Sequence, residues 1–151
     1  MTLNVPSEQT MNRLLLATED QLYEQLGIRA KAIAENPAIA GSFDPDVTYD
    51  GAAMGPLDDV REFGRRLFRR WNREAYKLIC SSEDTGDRKK MLDAFGVGPA
   101  AVAATISGLL VAHLGLAPAL AGILAALAIK HFFRPAYEEF CGLWLEKLPK
   151  Q

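Results

Sequence analysis

Histidine and cysteine are scarce in this chain, with two of each among 151 residues. Neither pair stands at a close ligand spacing such as C-x-x-C or H-x-x-x-H, so no zinc site is encoded locally. His113, His131, Cys80 and Cys141 could meet around a metal only through tertiary folding, and no metal or cofactor is expected. Alternation of apolar and polar residues is also missing. That excludes half-buried strands and points to an all-α fold. The start of the chain lacks a secretory signal: Met1 to Gln9 is polar, and Leu14 to Leu16 is too short an apolar run. Cys80 and Cys141 are therefore expected as free thiols in a reducing, cytoplasmic setting, packed as small hydrophobes. The net charge of −2 gives no bulk case for attraction to nucleic acid or anionic lipid.

The most informative absence is internal. From Ala94 to Ile129 there is no Asp, Glu, Lys or Arg, and His113 is the only strongly polar side chain. Pro99 suits a first helical position because its missing N–H would be unpaired there anyway. Ala, the best helix former, dominates the residues after it. The Gly115 to Pro118 punctuation ends one helix and starts another. The segment 99–130 thus reads as an antiparallel helical hairpin. Ala100, Ala104, Gly108 and Ala112 recur every four residues, as do Ala117, Ala121 and Ala125. Such stripes of small residues let helix backbones approach closely, with Gly108 the expected contact point. Each half spans only about 16 residues, or about 24 Å, against the roughly 20 residues a membrane span requires. A hairpin at the core of a helical bundle is the reading adopted, with membrane insertion as the alternative.

Around this hairpin one domain, 1–151, is expected. N-terminal helices cover about 8–35. Ser7 caps the first, with Met11, Leu14 and Leu15 on its apolar side. Thr18 and Gln21 form a capping box for the second, which buries Leu22, Leu26, Ala30 and Ile33 and is weakened or broken at Gly27. A strap loop comes next at about 36–56, pinned by Phe43, Val47 and Tyr49. Pro56 opens an amphipathic helix over about 57–80. A polar loop at Ser81 to Gly86 and a short helix from Asp87 to Phe95 lead into the hairpin. Pro135 restarts the chain as a C-terminal helix at about 135–148, ended by Pro149.

Several strings imitate catalytic motifs. Gly96-Val97-Gly98-Pro99-Ala100-Ala101 fits G-x-G-x-x-A, but no strand precedes it and no acid lies near position 120. Asp44-Pro45-Asp46-Val47-Thr48 has the spacing of an aspartate-nucleophile phosphatase, but lacks the preceding buried strand. As a calcium loop it fails because Tyr49 stands where Gly is needed. A solvated turn is the expected structure there. Glu138 and Glu139 are adjacent and so diverge on a helix. Leu110 to Lys130 imitates a helix-turn-helix, yet its second helix offers no polar side chain to DNA. No catalytic set emerges, and the chain is read as non-enzymatic.

The remaining signal is the 57–80 helix. Val60, Phe63, Gly64, Leu67, Trp71, Ala75 and Leu78 form its expected core side. Arg61, Arg65, Arg66, Arg69, Arg70, Arg73 and Lys77 form the other side, opposed only by Glu62 and Glu74 in that stretch. The expected function is a protein–protein interaction or assembly module, a small accessory protein docking an acidic protein surface through these arginines. Homo-oligomers fit the same pattern. Nucleic acid does not, since the basic side carries no interleaved aromatic beyond Tyr76 and the chain no net positive charge.

Overall fold

The computed structural model describes residues 5–80 and 85–148. Their order is α1 (Glu8–Leu16), α2 (Glu19–Glu35), a 3-10 turn (Pro37–Gly41), α3 (Gly51–Met54), α4 (Leu57–Cys80), α5 (Thr85–Phe95), α6 (Pro99–Leu114), α7 (Pro118–Phe132) and α8 (Tyr137–Lys147). Among the described residues there is no strand, and the helices form a compact all-α fold. Positions 1–4 of the expected tail, 81–84 of the expected polar loop and the expected terminator Pro149 lie outside the described residues.

Local chemistry sets most boundaries. The Ser7 hydroxyl accepts from the Thr10 N–H at 3.1 Å, capping α1. Thr18 and Gln21 bond reciprocally, at 3.1 and 2.9 Å, as the expected capping box of α2. Pro99 and Pro118 occupy first-turn positions of α6 and α7. Gly115 closes α6 in the left-handed region at φ 66° and ψ 22°, where a Cβ would be strained.

The hairpin is core. In α7, Ala119, every residue from Ala121 to Ile129, and Phe132 are buried, because α1, α2, α6 and α8 pack around it. In α6 both the small side (Ala104, Gly108) and the bulky side (Val102, Ile106, Leu109) are buried, while Ala112 reaches the surface. Among the described residues no single helix is long and apolar enough to cross a membrane. Only α7 and α8 together pass that test, as a pair bent by 93°.

A close backbone approach is found between α2 and α4. A Cβ on Gly27 would lie 2.2 Å from the Val60 carbonyl oxygen. One on Gly64 would lie 2.0 Å from the Tyr23 carbonyl oxygen. Gly27 therefore neither breaks α2 nor merely weakens it, since its missing side chain is what admits α4. This contact also rotates α4 relative to the expected core side. Val60, Gly64, Phe68, Asn72, Ala75 and Ile79 are buried, whereas Phe63, Leu67, Trp71 and Leu78 are only half-buried. Asn72 is tolerated inside because its Oδ1 accepts the Trp144 indole N–H at 2.7 Å.

Two further expectations are corrected. Cys80 and Cys141 are not free thiols. They form a disulfide joining the end of α4 to α8, with Cα atoms 5.6 Å apart. That separation lies within the bridging range. Beside it the Tyr137 hydroxyl donates to the Ile79 carbonyl. The strap is pinned chiefly by Arg29, which is 4% exposed. Its guanidinium donates to the carbonyls of Phe43 and Ala119, both at 3.0 Å, and reaches Asp44 at 3.3 Å. Asp44 also pairs with Arg13 at 2.8 Å, so it anchors the strap where a solvated turn was expected. Tyr49 is exposed and bonds locally to the Gly55 carbonyl.

Candidate interaction surface and cleft on α4

The seven basic side chains of α4 divide into two rows, because residues three and four apart share a helix face. Arg61, Arg65 and Arg69 form the row beside α2. Arg66, Arg70, Arg73 and Lys77 form the row opposite the buried Gly64–Phe68 seam. The division follows from how α4 sits on α2, and the sequence treated the two rows as one surface.

The inner row is engaged within the protein. Arg61 grips Glu24 of α2 with Nε at 2.9 Å and a second nitrogen at 2.5 Å, and also meets Asp58 at 3.2 Å. Glu24 is the main reason that the Arg61 guanidinium is held even more firmly protonated than usual. Arg65 reaches Asp20 at 3.0 Å and Glu62 at 3.3 Å, and Arg69 reaches Glu62 at 2.9 Å. The outer row differs. Arg66, Arg70 and Lys77 are exposed and meet no carboxylate among the described residues. Arg70 lies over the Trp71 ring at 5.6 Å from its centroid, which leaves its charge at the surface.

The fold also assembles a cluster that no spacing could reveal. Tyr23 of α2 and His131 of α7 are 108 positions apart, yet the Tyr23 hydroxyl lies 2.8 Å from His131 Nε2. Glu19 Oε1 is 3.5 Å from His131 Nδ1. The carboxylate favours the tautomer with hydrogen on Nδ1, so Nε2 accepts from the phenol. Phe68 stacks on the imidazole at 5.5 Å. This looks like a base with an orienting acid, but burial first, and then Glu19, raises the Tyr23 phenol above its usual range. Arg65 and Arg69 oppose that shift. The hydroxyl is therefore a hydrogen-bond donor at neutral pH and no ready nucleophile.

The other candidate ligands stay apart. His113, at the last turn of α6, has Nε2 at 2.9 Å from Asp87 Oδ2. Cys80 and Cys141 are bonded to each other. Among the described residues no group of three or more His, Cys, Asp or Glu side chains could hold a metal ion. Gly96 to Ala101 forms the α5–α6 joint, with Gly98 at φ 149°.

The buried phenols predict an alkaline limit. Tyr137 is raised chiefly by burial too, against the pull of Arg88. Unfolded tyrosine ionises near pH 10. With the folded values above that, stability is complete below pH 10 and falls as pH rises through the folded values, because the unfolded chain releases its phenolic protons first. Absorbance titration at 295 nm should show Tyr23 and Tyr137 ionising late, together with loss of helicity. Ionisation of Tyr23 and Tyr137 near pH 10 with the fold intact would contradict this.

No family model, curated protein or solved structure matches the chain.

Proposed function

We propose that the protein is a non-enzymatic interaction module that docks an acidic protein surface through the outer row of α4. The observation that carries this reading is that Arg66, Arg70 and Lys77 stand exposed and, among the described residues, without carboxylate partners, on a helix whose inner cations are all paired. Like charges at these spacings repel one another. An acidic partner relieves that repulsion, and arginine adds bidentate carboxylate geometry. Arg61 and Arg65, included in the docking set by sequence, are better read as the glue between α4 and α2, and Arg69 as paired with Glu62 of its own helix. The reducing setting was expected from the polar start of the chain, and the Cys80–Cys141 bridge weighs against it. Disulfides persist mainly in oxidising compartments, and we propose one as the working location.

The test is fluorescence anisotropy with a labelled glutamate-rich peptide, against the wild type and an Arg66→Glu/Arg70→Glu/Lys77→Glu variant. The wild type should bind the peptide, and more weakly in raised salt. The variant should lose at least about tenfold in affinity, the loss of roughly one charge-assisted contact. Equal binding by both proteins would reduce the row to a solubility device. Tighter binding of duplex DNA or of phosphatidylserine vesicles than of the peptide would overturn the choice of partner.

A further inference from the structure

Between α2, α4, α7 and the end of α8 lies an open cleft of about 680 Å³. Arg65 and Arg69 of α4 and Lys147 of α8 stand along it, against the single lining carboxylate Glu62. Phe68, Phe132 and His131 supply an aromatic lining, and Tyr23 flanks the imidazole. Asn72 lines the same cleft and is 7% exposed. Its Oδ1 is committed to the Trp144 N–H, which fixes the orientation of the amide and leaves its NH2 as a donor.

We propose that this cleft binds a small planar aromatic molecule carrying an acidic group. The volume lies in the range of ligand sites, about 300–1,000 Å³. The lining combines the two features such a molecule needs. Phe68 and Phe132, stacked on His131 and Trp144, and the half-buried His131 offer an apolar, aromatic wall for its ring. Arg65, Arg69 and Lys147, from two separate helices, offer N–H donors for its acid, with Glu62 in the lining and Asp20 and Glu19 at the α2 edge holding the local charge in balance. Glu62 bridges Arg65 and Arg69, which holds both guanidinia in place. Each guanidinium has five N–H donors, so donors remain after the pairs with Glu62 and Asp20. Lys147 meets no carboxylate among the described residues. Glu19 and Asp20 stand on the α2 side and discriminate against polyanions by repulsion, which favours a ligand with one or two charges.

Isothermal titration with naphthalene-2-sulfonate tests this, with neutral 2-naphthalenemethanol as the matched ring. The wild type should bind the sulfonate at one site with Kd below about 1 mM. The neutral analogue should bind at least about tenfold more weakly, as should the sulfonate to an Arg69→Gln/Lys147→Gln variant. Both substitutions are at the surface, and circular dichroism checks that the variant is folded. An Arg66→Glu/Arg70→Glu/Lys77→Glu variant should keep the site, since the outer row lies elsewhere on α4. No saturable binding, equal affinity for the neutral ring, undiminished binding by the Arg69/Lys147 variant, or loss in the outer-row variant would each overturn the assignment.

Discussion

Gly64→Ala should destabilise the protein by about 3 kcal/mol or more, the upper part of the overpacking range. The added Cβ would sit 2.0 Å from the Tyr23 carbonyl oxygen and 2.8 Å from its carbonyl carbon. Both are backbone atoms within α2, so no side-chain rotation can relieve the clash. The helices must separate, which loosens Gly27 on Val60, the Tyr23–His131 hydrogen bond and the Arg61–Glu24 pair together. In a domain of this size each kcal/mol moves the melting temperature by roughly 2–4 °C, so a fall of about 10 °C is expected. Gly142→Ala is the matched control. Gly142 is exposed within α8, and a Cβ there meets nothing within 4 Å. That change should stabilise by about 0.5–1 kcal/mol through helix propensity and a less flexible unfolded chain. Thermal melts of the two variants should move in opposite directions. A Gly64→Ala protein melting with the wild type would mean that α2 and α4 do not meet as described.

Removing the Cys80–Cys141 bridge should cost about 4 kcal/mol, the chain-entropy value for a closed loop of about this length. The bridged residues are 61 positions apart in sequence. The loop contains α5, α6, α7 and the start of α8, so the bridge confines the whole apolar hairpin in the unfolded chain. A Cys80→Ser/Cys141→Ser protein should unfold at clearly lower denaturant than the oxidised wild type. Reducing the wild type should bring it to the same midpoint, while dithiothreitol should leave the variant unmoved. Identical midpoints for oxidised and reduced wild type would contradict the bridge. Two free thiols found by Ellman titration of the denatured, unreduced protein would do so as well.

The chain's local patterns were reliable where the deciding interactions are local. The Ser7 cap, the Thr18–Gln21 box, Pro99 and Pro118 at first helical positions, and the Gly115 stop depend on residues within a turn or so of one another. Their sequence positions determine the elements. The same holds for the all-α class and for the uncharged 94–129 stretch, which has no favourable place except out of water. The basic character of α4 was also legible.

Tertiary packing decided the rest. Hydrophobic periodicity gave α4 a core side that included Phe63, Leu67 and Trp71. Two glycines set the actual seam, because backbone-to-backbone distance is limited by the atoms that are missing at Gly27 and Gly64, and a glycine in a helical pattern looks only like a weak point. Cys80 and Cys141 showed no motif, since proximity across 61 positions is created by the α4–α8 contact alone. Tyr23 and His131, Asn72 and Trp144, and Arg29 and Ala119 are likewise distant in sequence. Each pairs a buried polar group with a partner that the fold brings within 3.0 Å. The sequence alone determined which segments are helical and that the hairpin must be covered. The fold decided which cations face outward, because the docking of α4 on α2 hands Arg61 and Arg65 to Glu24 and Asp20, while Arg66, Arg70 and Lys77 stand on the opposite side of α4.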